Sequence, residues 1–339
     1  MMSVSTSLTA LASNAFAPIN QLLAQPDVVE ICVNKPGEIF VERKGEIFGT
    51  ERLDAPDLTP ERIRYMAERV AALSNQFINE ANPLLSASLA SGERIQVVLP
   101  PASLSGGCFT VRKATTRSLT LNDYKSSGKM DAVRFVESLD GVTEDEQYLH
   151  QLLKAGDTIQ FLKQAVKRRF SILVSGGTGT GKTTFLNALL AEIPESERLV
   201  TIEDTVELTP PQTNVVRLFA SRGEQSIANV SARKLLEASL RMRPDRILLG
   251  EVRGEEAIDL LQAINTGHPG SLTTIHANSP QQAYARLALL ILQSGSVNLS
   301  RQDIIDYLKT TLPIVVQIAR HTEGQGFISN IYFAGYDHG

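Results

Sequence analysis

Apolar and polar positions change their rhythm part-way along the chain. In the first third they read mostly as strands. Val28 to Val33 runs apolar or alternating, Asn34-Lys35-Pro36-Gly37 is a turn, Glu38 to Arg43 a second strand and, after Lys44-Gly45, Glu46 to Gly49 a third. Pro60, at a first helical position, opens a helix that carries Ile63, Met66, Val70 and Leu73 on one face. Strands near Leu84–Leu89 and Ile95–Leu99, joined through Ser91-Gly92-Glu93, and a further one at Phe109–Val111 complete this α+β block. Ahead of it, Leu8, Leu11, Phe16, Ile19 and Leu22 recur at helical spacing, which predicts a short amphipathic helix.

From about Lys125 to Gln147 the chain turns polar and charged, with breaks at Ser126-Ser127-Gly128 and Gly141. A linker over 126–147 is expected there, between an N-terminal α+β domain (1–125) and an α/β domain (148–339). In the second domain short apolar strands alternate with helices. Asp157 to Val166 is a helix leading into the strand Phe170–Val174. Leu199–Ile202, Ile247–Leu249 and Leu272–Ile275 are further strands, and Val315–Ile318 and Phe327–Phe333 close the domain. Ser231 caps a helix ending near Met242. Ser279 with Pro280 opens one running to about Gly295, with Leu287, Leu290 and Ile291 inside, and Ser300 with Asp303 caps the next.

Composition narrows the class without choosing the function. The chain has 339 residues, 42% of them hydrophobic and 21% charged, with a net charge of −4, the profile of a soluble globular protein of about two domains. The slight acidity argues against a dedicated or sequence-specific nucleic-acid binder, which wants a strongly basic face. Cys32 and Cys108 lie far apart in apolar stretches and read as buried free thiols in a reducing compartment. The five histidines are scattered and no C-x-x-C occurs, so no metal cluster is expected. No apolar run reaches the length of a membrane span. Met1 to Ala15 lacks the basic start and continuous apolar stretch of a signal peptide, and a cytoplasmic location is expected.

The chemistry is concentrated in Ser175-Gly176-Gly177-Thr178-Gly179-Thr180-Gly181-Lys182-Thr183-Thr184, which fits G-x-x-x-x-G-K-[ST] from Gly176 to Thr183. An apolar strand precedes it and Phe185 to Leu190, good helix material, follows. That context predicts a nucleoside triphosphate cradle. Glycines let backbone N–H groups turn onto the β-phosphate at a helix N-terminus, Lys182 supplies charge to the β- and γ-phosphates, and the Thr183 hydroxyl ligates Mg2+. The loop contains no G-x-G-x-x-G register, so the dinucleotide alternative fails. Hydrolysis needs carboxylates as well, one to position and deprotonate water and one to hold Mg2+ or its water shell. Arg246-Ile247-Leu248-Leu249-Gly250-Glu251 is an apolar strand ending in an acid, and a strand C-terminus in a parallel sheet would aim Glu251 at the γ-phosphate. Thr201-Ile202-Glu203-Asp204-Thr205-Val206-Glu207 ends another strand in three acids. Gly267 to Asn278 sets His268 and His276 around a short strand, and a neutral imidazole near a γ-phosphate can report hydrolysis by hydrogen bonding.

These four motifs, in this order, resemble those of the secretion-superfamily hexameric ATPases, which power type II secretion, type IV pili and type IV secretion. Pro26 to Glu42, Gly92-Glu93-Arg94-Ile95-Gln96 and Leu119 to Tyr124 are similar to the first domain of the type IV secretion traffic ATPases, and the likeness covers nearly the whole chain past the first ~20 residues. Pilus retraction ATPases look different before residue 125, and the four-cysteine metal module usual in type II assembly ATPases is absent. The resemblance implies a RecA-like motor domain behind a smaller α+β domain, a homo-hexameric ring of two tiers with ATP and Mg2+ between them, and hydrolysis coupled to substrate transfer or pilus assembly. It implies partner ATPases and inner-membrane components of a type IV secretion system, with peripheral attachment at the cytoplasmic face. By position, Glu251 is the strand-end glutamate, Glu203 and Glu207 the acid-box carboxylates and His276 the box histidine. Arg94 and Arg112 match N-terminal-domain arginines that approach the phosphates in relatives, with Arg241 or Arg243 in a similar part. A pilus or tight-adherence assembly ATPase and a nucleotide-gated docking scaffold with little hydrolysis are the competing readings.

Overall fold

The computed structural model describes residues 15–45, 51–89, 91–113, 120–133, 141–221, 226–295, 298–321 and 326–334. Its strands gather into two sheets. The first holds β1 (Val28–Val33), β2 (Gly37–Arg43), β3 (Glu51–Ala55), β4 (Leu84–Ser88), β5 (Arg94–Val98) and β6 (Cys108–Arg112), in the order β3-β2-β1-β6-β5-β4 with antiparallel neighbours. The helix Pro60–Leu73, capped by Thr59, buries Ile63, Met66 and Val70 in this sheet's core. The third strand lies at 51–55. The span 46–49 expected for it, and Leu8 and Leu11, fall outside the described residues.

The second sheet holds β7 (Ile172–Gly176), β8 (Leu199–Glu203), β9 (Val215–Phe219), β10 (Arg246–Leu249), β11 (Leu272–Ile275), β12 (Ile314–Arg320) and β13 (Gly326–Phe333). The order is β13-β12-β7-β11-β10-β8-β9, parallel throughout except for β13. Helices cover both faces, which is why its strands read as unbroken apolar runs. Ile172, Val174 and Leu248 point to the face carrying Phe161 and Leu186, while Leu173, Ile247 and Leu249 point to the face carrying Leu236, Leu261 and Leu287.

One strand of this sheet and one helix packed on it were not predicted. Edge strand β9 follows a polar Pro-Gln-Thr-Asn stretch that masks it, and the helix Glu256–Asn265 packs Ile258, Leu261 and Ile264. The helix after Ser231 stops at Ser239, before the expected Met242, and Arg243 then takes a left-handed backbone (φ 55°) that turns the chain into β10. Thr120, just ahead of the stretch read as linker, and Thr143 inside it each form a capping box, starting helices Leu121–Ser126 and Glu144–Lys154.

The sheets meet at the β9 edge. Phe219 N–H donates to Ala102 O (2.8 Å) and Leu104 N–H to Arg217 O (3.1 Å), so the chain after β5 pairs with an edge that would otherwise be open. Val98, Ala102 and Cys108 join the same apolar cluster as Val216 and Leu218. Beside that cluster, Arg198 is buried and donates to Met242 O (2.9 Å), Asn34 Oδ1 (2.5 Å) and Asn214 Oδ1 (2.6 Å). Arg243 binds Glu42 of β2. Burial pushes the Cys108 thiol up to about 12 and raises Cys32 as well, so both are inert packing groups.

Candidate functional site

Four of the segments singled out in the second sheet lie at the C-terminal end of a parallel strand, and those ends open on one edge of the sheet. The glycine loop follows β7, the acid box β8, Glu251 follows β10 and His276 β11. Strands β7, β11, β10 and β8 are consecutive neighbours, so four segments distant in sequence line one cavity of about 560 Å3.

The loop is shaped for close backbone approach. Gly179 and Gly181 have positive φ (69° and 90°), and Gly181 leads into the helix Lys182–Leu190. Gly176 has no room for a side chain, because a Cβ there would meet Ile318 O and Thr180 Oγ1, each at 2.7 Å. Arg320, at the end of β12, donates to Gly179 O and braces the loop from the far side.

Lys182 is buried, and its ammonium is fully engaged, with Gly176 O (3.1 Å), Gly177 O (2.9 Å) and His276 Nδ1 (3.2 Å). An ammonium donating to Nδ1 leaves the imidazole proton on Nε2, which faces Glu251 Oε1 at 3.3 Å. His276 therefore links the loop lysine to the strand-end carboxylate. Burial, then the Lys182 charge, holds His276 below the ordinary imidazole value, so it is neutral. Burial lowers Lys182, with Glu251 opposing, and raises Glu251, with Lys182 opposing. A carboxylate raised toward neutrality is better suited to accept a proton than an ordinary surface glutamate.

Within the acid box the acids divide their work. Glu203 Oε1 accepts from Glu207 N–H (2.8 Å) and Leu208 N–H (2.7 Å), which folds the segment back over the helix. Its Oε2 is buried with no hydrogen-bond partner, and burial raises its pKa. Glu207 Oε2 accepts from Thr183 Oγ1 (2.8 Å), tying the acid box to the loop. Asn187, one helical turn on, donates to Glu207 O (2.9 Å) and accepts from Thr209 N–H (2.8 Å).

Sequence reasoning assigned no role to Asp204, Asn187, Arg253 or Arg320. Asp204 stood inside the acid box and Arg253 two residues past the strand-end glutamate, whereas Asn187 and Arg320 carried no local signal. Arg253 spans the mouth of the cavity, donating to Glu251 Oε2 (2.5 Å) and Asp204 Oδ2 (3.4 Å). Thr178, Thr180 and Thr184 line the cavity, and Gly177 lines a neighbouring cavity with His276, Arg286 and Arg301.

The three arginines Arg94, Arg112 and Arg241 are brought together, but elsewhere. They line a separate cavity of about 490 Å3 that no residue of the phosphate loop borders. Arg94 and Arg112 are cross-strand partners on β5 and β6, and Arg112 Nε holds buried Glu30 Oε2 at 3.0 Å. Arg241 donates to Glu237 O (3.1 Å). The reason is sheet order: the first sheet docks on β9, four strands from β7, a separation of about 19 Å at ~4.8 Å per strand. His268 is likewise remote, at the other end of β11, with Nδ1–H on Pro244 O (3.0 Å).

Comparison with known proteins gives one consistent result. Residues 12–323 match the family model of type II/IV secretion system proteins. The type IV secretion system protein VirB11 of Bartonella henselae is 38% identical over 97% of this chain and 95% of its own length. VirB11 of Brucella suis biovar 1 is 40% identical over 90% and 83%. The crystal structure of the VirB11 ATPase from the Brucella suis type IV secretion system, in complex with sulphate, superposes with a TM-score of 0.87 at 37% identity, over 96% of this chain and 98% of that one.

Proposed function

The chain belongs to the type II/IV secretion system protein family, and from that membership and the geometry above we propose that it is an ATP-hydrolysing motor energising type IV secretion. Substrate transfer or pilus assembly is its output. The observation that carries the reading is convergence: a phosphate loop, a strand-end glutamate, an acid box and a histidine, each on a different strand, line one cavity.

The roles follow from the contacts. Backbone N–H groups of Gly177–Lys182 and the helix N-terminus receive the phosphates. Lys182 exchanges its loop carbonyls and His276 for phosphoryl oxygens, and His276 then stays bound to Glu251 alone. Glu251 accepts the proton of the attacking water. The oxygen set Thr183 Oγ1, Glu207 Oε2 and the unpartnered Glu203 Oε2 suits Mg2+ arriving with ATP, since that ion prefers hard oxygen donors. When bound, Mg2+ offsets negative charge on the β- and γ-phosphoryl oxygens.

The working unit we infer is a homo-hexamer acting with other ATPases and inner-membrane components of a type IV secretion system. In such a ring the Arg94–Arg112–Arg241 cavity, remote from its own phosphate loop, would face charge contributed by another subunit. Attachment at the cytoplasmic face of the inner membrane is peripheral in this reading; no helix among the described residues is long and apolar enough to cross a membrane.

Steady-state hydrolysis and nucleotide binding by the purified full chain and by Glu251→Gln test the assignment. The variant should bind ATP with affinity close to wild type while turnover collapses, because shape is kept and the base is lost. If affinity falls as steeply as turnover, Glu251 is a structural or metal-holding group and the assigned mechanism is wrong.

A further inference from the structure

Arg253 has no part in the mechanism above, yet it is placed where the mechanism is short of charge. Among the described residues lining the cavity there are four carboxylates, Glu203, Asp204, Glu207 and Glu251, against two permanent cations, Lys182 and Arg253. A triphosphate entering this site meets a surplus of negative charge, and more develops on its γ-phosphoryl oxygens during transfer. Lys182 is one compensating group. Arg94, Arg112 and Arg241 lie at another cavity, Arg320 braces the loop from its far side and Arg286 lines the neighbouring cavity, so among the described residues lining the phosphate cavity itself the guanidinium is that of Arg253.

We infer that Arg253 is a two-position arginine: in the nucleotide-free chain it covers Glu251 and Asp204, and with ATP bound it transfers to the γ-phosphate. This rests on the ATP-hydrolysis reading above. Three observations carry it. First, its two terminal nitrogens hold different partners, Nη2 on Glu251 Oε2 (2.5 Å) and Nη1 on Asp204 Oδ2 (3.4 Å), so the guanidinium plane already bridges the base and the acid box. Both carboxylates line the phosphate cavity. Second, the backbone is fixed while the side chain is free to swing. Glu256 Oε1 accepts from both Arg253 N–H (2.6 Å) and Gly254 N–H (2.9 Å), whereas the Arg253 side chain is 44% exposed against 13% for Glu251. Third, the chemistry of the group suits both positions. A planar fork that pairs with carboxylates pairs equally with the terminal oxygens of a phosphate, and two carboxylates are exchanged for a group of higher charge density.

The move has a functional consequence. While the guanidinium sits on Glu251 Oε2 and His276 on Oε1, each oxygen of the base already accepts one donor, and the guanidinium charge makes the carboxylate a weaker base. Arrival of the γ-phosphate draws Arg253 away, so the base is released only when there is something to hydrolyse.

The test measures kcat, KM and the Kd values for ATP and for ADP–aluminium fluoride, using the full-length chain and its Arg253→Ala, Arg253→Gln and Arg253→Lys variants, with Lys182→Ala as control. Arg253→Ala should lower kcat by ~10²–10³-fold and weaken ADP–aluminium fluoride binding by ~10²-fold, while ATP affinity changes little, because the contact strengthens as charge develops. Lysine should restore part of the loss and glutamine almost none. An Arg253→Ala kcat near wild type, with Lys182→Ala inactive, overturns the role of Arg253 and leaves the ATPase reading standing. Equal losses for ATP and the fluoride complex make Arg253 a structural tie and also overturn it. A wild-type chain that neither hydrolyses ATP nor binds ADP–aluminium fluoride overturns the functional reading itself. If the alanine variant fails to fold, the lysine–glutamine contrast decides.

Discussion

Replacing Arg198 by methionine isolates what joins the two sheets. Arg198 is 1% exposed, and its guanidinium sits between Asn34 and Thr110 on the side of the first sheet and Asn214 and Met242 on the side of the second. Methionine fills similar length without a donor. Asn214 Oδ1 keeps the Asn34 amide (2.8 Å) and the Thr110 hydroxyl, held only at 3.5 Å, is free to rotate, but Asn34 Oδ1 and Met242 O lose the guanidinium. Two stranded buried acceptors cost roughly 1–3 kcal/mol each. Relief from burying a guanidinium and the gain from an apolar side chain offset part of that total. The net expectation is a destabilisation of about 2–4 kcal/mol. Urea unfolding followed by far-UV circular dichroism measures it, and a cycle with Asn34→Leu should return a coupling of about 0.5–3 kcal/mol between the two positions. Turnover supplies a second readout, because β8 runs directly from this contact to Glu203 at the phosphate cavity. An Arg198→Met protein within about 0.5 kcal/mol of wild type would refute the idea that this buried donor holds the sheets together.

Lys182→Ala removes a cation that stabilises transferring phosphate and should reduce ATP turnover by ~10²–10³-fold; a folded variant retaining half of wild-type activity defeats the cradle assignment. Gly176→Ala sets a Cβ 2.7 Å from Ile318 O and Thr180 Oγ1, so the loop must shift and ATP affinity should drop well before thermal stability does; calorimetric titration with ATP decides, and unchanged affinity counts against the loop geometry. Burial holds His268 below the ordinary imidazole value. The unfolded chain therefore takes up that proton first, so its contribution to stability is complete above about pH 6.5 and is lost as pH falls through that value toward the folded pKa. Between pH 7.5 and 5.5 the wild-type melting temperature should fall more than that of His268→Gln, and an equal fall removes His268 as the cause.

The phosphate loop was legible in the sequence because everything that makes it is contiguous: apolar strand, glycines at left-handed positions, lysine, helix. The same holds for the helix starts at Thr59, Ser231, Ser279 and Ser300, each of which supplies a side-chain cap within three residues of its own position. The alternation of short apolar strands with helices was likewise enough for a parallel α/β sheet, and from it the expectation that acids following strand ends face the loop. What each acid does was decided elsewhere. Glu203 stands in the acid box like Glu207, yet one folds its own backbone and the other meets Thr183, a difference set by the path of residues 204–208 over a neighbouring helix. Arg253 is an unremarked residue two positions past Glu251 until β8 is laid beside β10 and brings Asp204 within its reach. Strand β9 and the Arg198 contact are invisible to any local pattern, since Asn34 and Asn214 are partners across 180 residues. Local chemistry writes elements and loops into the chain, but sheet order is a sum of long-range packing choices. It is that order, β7-β11-β10-β8-β9, which set the carboxylates beside the phosphate loop and left Arg94, Arg112 and Arg241 beyond β9.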